Sequence, residues 1–62
     1  MLIAGYVSKF KKGWVTFVSN FTDNQYDFFV DTGDTIKKND AVRLYVSGRS
    51  IKHIWINGKK YK

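Results

Sequence analysis

Lys9, Phe10, Lys11, Lys12 and Trp14 fall within six residues of one another, and the same mixture of cation and ring returns in Arg43 with Tyr45 and in Lys52, His53 and Trp55. Flat rings beside cations are what a single-stranded nucleic acid asks of a surface. Bases stack on the rings for about 1–3 kcal/mol each, and Lys or Arg neutralises the phosphates between them. Catalysis finds fewer parts. The serines are Ser8, Ser19, Ser47 and Ser50, none in a recognisable elbow, and His53 is the single histidine that could serve as a base. The carboxylates cluster mostly beside turn formers, in Thr22-Asp23-Asn24 and Thr32-Gly33-Asp34, so they read as turns before they read as an acid–base pair. Asp23, Asp27 and Asp31 do not follow a calcium-loop pattern. With no cysteine and one histidine, a disulfide, a thiolate metal site and a zinc site of the usual kind are excluded. The residues therefore predict a chain that is not an enzyme and that holds no metal and no cofactor.

Charge is distributed unevenly along the chain. The net charge is +6; residues 1–22 hold three lysines and no acid, residues 23–40 hold all five aspartates against Lys37 and Lys38, and residues 41–62 hold six cations and no acid. If the two ends meet in the fold, they create a positive face that attracts phosphates or an acidic protein. Residues 58–62 read as a basic C-terminal tail. Met1–Val7 is too short and too interrupted for the apolar region of a signal peptide, and no run approaches a membrane span. The expected location is the cytoplasm.

Sixty-two residues allow one domain, and 44% hydrophobic with 18% aromatic content supplies a core without staples. Apolar residues recur with period two, in runs rich in β-branched and aromatic types, which predicts strands and no helix. The expected strands are Leu2–Phe10, Trp14–Asn20, Gln25–Asp31, Ala41–Ser47 and Ile51–Asn57, separated by turn-forming clusters and ended by Asn57-Gly58. Alternation turns Val7, Val15, Phe17, Phe28, Val30, Val42, Leu44, Val46, Ile54 and Ile56 inward, and Trp14, Thr16, Phe29, Arg43, Tyr45, His53 and Trp55 outward. Five short strands in so short a chain predict a small antiparallel barrel of the OB-like or SH3-like kind, because closure removes unpaired edges.

Several of these segments resemble the cold-shock domain, a five-stranded OB barrel. Gly5-x-Val7-x-x-Phe10 is similar to that family's first strand, Lys12-Gly13-Trp14 to the start of its first ribonucleoprotein motif, and Asp27-Phe28-Phe29-Val30 to its second. Ile36-Lys37-Lys38-Asn39-Asp40-Ala41-Val42 resembles the family's approach to its fourth strand. The resemblance implies an OB fold and single-strand binding through Trp14 and Phe29. Lys9, Thr16 and Asp31 stand where the family carries a Trp, a second aromatic and a His, and the segment Ser19–Gln25 reads as an insertion.

Together these features predict a module for single-stranded RNA or DNA, with Lys9, Phe10, Lys11, Lys12, Trp14, Phe29, Lys52 and His53 forming the nucleic-acid surface. The competing expectation is a protein-interaction barrel, an adaptor or inhibitor of a larger assembly, contacting a protein partner through Arg43, Tyr45 and Trp55.

Overall fold

Side chains that alternate between apolar and polar suit a pleated strand with one dry face, and nearly the whole chain adopts that form. The computed structural model describes residues 1–22, 24–33 and 35–62. Its strands are β1 (Leu2–Lys11), β2 (Trp14–Ser19), β3 (Gln25–Phe29), β4 (Ala41–Ser47), β5 (Ser50–Ile56) and β6 (Lys59–Lys60). They form one antiparallel sheet in the order β3-β2-β1-β4-β5-β6, curled into a half-barrel, with no helix among the described residues. Among those residues, accordingly, no helix is long and apolar enough to cross a membrane.

β1 organises the sheet. Its second half pairs with β2, from Gly5↔Ser19 to Lys11↔Trp14, and its first half pairs with β4, from Leu2↔Tyr45 to Tyr6↔Ala41. The register steps from Val7↔Phe17 to Lys9↔Thr16, so Ser8 is an extra residue that bends the strand. The segment before β4 docks at this point: Val7 N–H donates to the Asp40 carbonyl (2.9 Å) and Asn39 N–H to the Val7 carbonyl (2.7 Å).

Tight turns set the other registers. Lys12 and Gly13 (φ 51° and 86°) link β1 to β2, and Asn57 and Gly58 (φ 53° and 82°) link β5 to β6. Two successive positive φ values match the twist of paired strands, and Asn-Gly adopts them at little cost. Asn57-Gly58 is thus a hairpin turn, not the end of the last strand, and the expected five strands become six. The expected tail is corrected with it. Lys59 and Lys60 pair with Ile56 and Trp55, Tyr61 N–H donates to the Ile54 carbonyl (2.8 Å), and the Tyr61 ring packs against the core. The turns expected around Asp23 and Asp34 fall partly on those two residues, which lie outside the described ones.

All the side chains expected inside are buried, and Ile3 and Ile36 join them in one cluster. Ile36 belongs to no strand; it reaches the core from the segment between β3 and β4. Leu44 is among the largest fully buried side chains. Leu44→Ala is expected to cost about 2–5 kcal/mol, against roughly 3–9 kcal/mol available to a domain of this length. Urea unfolding followed by far-ultraviolet circular dichroism measures the loss, and a midpoint equal to the parent's would contradict the packing.

Candidate nucleic-acid interface

The outward face of β1–β3 is built in rungs. Lys11, Trp14 and Phe29 form one rung and Lys9, Thr16 and Asp27 the next. Trp14 and Phe29 are 57% and 54% exposed, and their rings meet edge to face with centroids 5.6 Å apart. Gly13 makes this arrangement possible: a Cβ on it would lie 2.6 Å from Cε2 of Phe29, so the ring lies against the bare turn. The Val30 N–H donates to the Gly13 carbonyl (2.9 Å), which holds the end of β3 beside that turn. Lys9, Lys11 and Lys12 are exposed and, with Trp14, Thr16 and Asp27, line a shallow groove in front of the indole.

A second group of rings lies on the outward face of β4 and β5. Tyr45 pairs with His53 and Arg43 with Trp55, and Trp55 is in turn opposite Lys60. The His53 ring stands between Tyr45 and Trp55, with centroid distances of 5.9 and 5.7 Å, and its Nδ1–H donates to the Lys62 main-chain oxygen (3.2 Å). Arg43 and Trp55 line a groove with Leu2, Ala41, Asn57 and Gly58. Arg43, Tyr45 and Trp55, expected as partner contacts, therefore do come together on one surface.

Three expected nucleic-acid residues stand elsewhere than their sequence position suggests. Phe10 pairs with Val15 and packs against the core, because the extra residue Ser8 reverses the parity of the end of β1. The same reversal turns Lys9 outward. His53 does not flank Trp14, since β1 and β4 separate β5 from β2 in the sheet and its ring belongs to the Tyr45–Trp55 group. Lys52 is the extra residue of a second bulge, between Tyr45↔His53 and Val46↔Ile51, exposed on β5 and likewise distant in strand order from Trp14. The predicted positive face is correspondingly divided: Lys9, Lys11 and Lys12 lie at one end of β1, and Arg43 and Lys60 are reached from the other.

Two residues of this surface escaped the sequence reading. Tyr6 is 37% exposed on the outward side of β1, and its parity opposite to Val7 was the available signal. Lys60 was hidden by its assignment to a tail. No family model, curated protein or solved structure matches the chain.

Proposed function

We propose that this chain is a non-catalytic module that binds single-stranded nucleic acid on the outward face of β1–β3. One observation carries the reading: two large rings, Trp14 and Phe29, are cross-strand neighbours more than half exposed to solvent, beside three exposed lysines. Core packing does not require two large rings in water, whereas stacking of bases does. An OB-like barrel is the finer form of the fold that fits. Support for it comes from β1, bent at Ser8 and shared between the β2–β3 and β4–β5 hairpins, and from the order of the cold-shock-like segments along the chain. Asp27 repels phosphate, so the backbone of a bound strand runs on the lysine side of the rings, with the bases toward Trp14 and Phe29.

Affinity is expected to fall linearly with salt on logarithmic axes, by about 0.7 per phosphate neutralised on a single strand. Lys9→Ala, Lys11→Ala and Lys12→Ala should each flatten that slope. Fluorescence titration of Trp14 with an oligothymidylate, in a Trp55→Phe background at several salt concentrations, measures it. Duplex DNA should bind more weakly, because paired bases hide their faces. An affinity indifferent to salt would remove the phosphate from the proposal.

A protein-interaction role rests on a different observation. Phe21 is 82% exposed and lines one groove with the exposed Met1 and Leu2, an apolar patch of the sort that marks protein contacts. Failure of every oligonucleotide to bind at low salt would transfer the function to that reading, with Arg43, Tyr45 and Trp55 the next residues to substitute.

A further inference from the structure

The two ring groups lie toward opposite ends of β1, and the outward side chains of β1 connect them. In order these are Lys11 opposite Trp14, Lys9 opposite Thr16, Tyr6 between Val18 and Ala41, Ala4 opposite Arg43, and Leu2 opposite Tyr45. From Arg43 the same rung continues to Trp55 and Lys60. A ring flanked by cations therefore stands at each end of the series, with Lys9 and the partly exposed Tyr6 between them. Of the acids, Asp27 on β3 borders the groove that Lys9, Lys11 and Lys12 line, Asp40 docks beside Val7 with its carboxylate accepting from the Lys37 N–H (2.8 Å), and residues 41–62 contain none. We infer that a bound single strand continues from Trp14 and Phe29 along the outward side of β1 to Trp55, where Arg43 and Lys60 receive its phosphates, so that binding is bipartite. The inference rests on the single-strand reading above and adds a second contact and a minimum length to it.

The geometry sets the length. Lys11 and Ala4 are seven residues apart on β1, about 23 Å at strand rise, and Trp14 and Trp55 stand on β2 and β5, three strand spacings of about 4.8 Å from each other across the sheet. The two contacts are thus on the order of 20–30 Å apart. A dinucleotide cannot reach both, and a dodecanucleotide can.

The test uses dT2 and dT12 against two single-tryptophan proteins, Trp55→Phe reporting Trp14 and Trp14→Phe reporting Trp55. At one oligonucleotide per protein, dT12 is expected to quench both tryptophans. It should also bind about 100-fold or more tightly than dT2, the range of gain that linked contacts produce. Arg43→Ala with Lys60→Ala, both exposed positions, should bring dT12 down toward dT2 and abolish the quenching of Trp55 while that of Trp14 persists at saturation. Quenching of Trp14 with Trp55 silent at saturating dT12 would overturn the path and leave the single-strand function standing. Silence of both tryptophans would overturn that function itself. Quenching of Trp55 by poly-glutamate but not by dT12 would overturn the path and assign this face to an acidic protein.

Discussion

Gly5→Ala is expected to remove most of the stability of this domain. Gly5 lies on the inward side of β1, opposite Ser19 in the antiparallel pairing with β2. A Cβ built on it would overlap the carbonyl oxygen of Val18 and stand 2.5 Å from Cε2 of Phe17. Neither neighbour can give way cheaply. The Val18 carbonyl belongs to β2, which is paired on both sides, and the Phe17 ring is fully buried. Overpacking a core by a methyl group usually costs about 1–3 kcal/mol and more where backbone must move. Here backbone must move, and the total available is only about 3–9 kcal/mol. Gly5→Ala should therefore unfold at much lower urea than the parent, or fail to fold at all. Gly33→Ala is the control: no atom of the described residues lies within 4 Å of the added Cβ and φ is not positive, so its stability should stay within about 1 kcal/mol of the parent's. A Gly5→Ala protein as stable as Gly33→Ala would mean that β1 and β2 do not approach this closely.

The resemblance to the cold-shock first strand begins at Gly5, and the close approach of the Phe17 ring gives that residue a physical reason. Much of the dry face was legible in the same way. Alternation fixes a strand's face wherever pairing is regular, so Val15, Phe17, Val42, Leu44, Ile54 and Ile56 could be assigned inward from their spacing alone. It fails where one residue is added. Ser8 turns Phe10 from an expected stacking ring into a core contact, and the bulge at Lys52 brings Ile51 onto the core although strict alternation from Ile54 would put it outside. Nothing in the local spacing distinguishes a bulged strand from a regular one, because the extra residue is recognised only against its partner strand. Strand order is equally non-local. His53 and Trp14 each have the residue type and parity of the proposed surface, and only the order β3-β2-β1-β4-β5 separates them. Ile36 was legible as part of a motif but not as core, since a single apolar residue among Thr35, Lys37 and Lys38 carries no periodicity. Trp14 and Phe29 were assigned outward by parity, and their pairing followed once β2 and β3 were hairpin neighbours.

Removing either ring of that pair is expected to weaken single-strand binding strongly while leaving its salt dependence intact. A stacked base contributes about 1–3 kcal/mol, so Trp14→Ala and Phe29→Ala should each raise Kd by roughly 5- to 150-fold. Stacking releases no counterions, and the slope of affinity against salt should remain that of the parent. The lysine variants should do the reverse in emphasis, flattening the slope. Phe29 also lies against Gly13, so Phe29→Ala could act by loosening the turn. Phe29→Leu separates the two effects, since it keeps apolar cover over Gly13 but offers no flat face, and it should bind nearly as weakly as Phe29→Ala. The edge-to-face contact of 5.6 Å between the rings predicts a further result. Each ring holds the other in place, so the double alanine variant should lose less than the sum of the single losses. Equilibrium titrations with dT12, read by anisotropy of a labelled oligonucleotide so that loss of Trp14 does not remove the signal, give all four corners of the cycle. Single alanine variants that bind as the parent does, with folding verified by circular dichroism, would show that Trp14 and Phe29 are not a stacking platform.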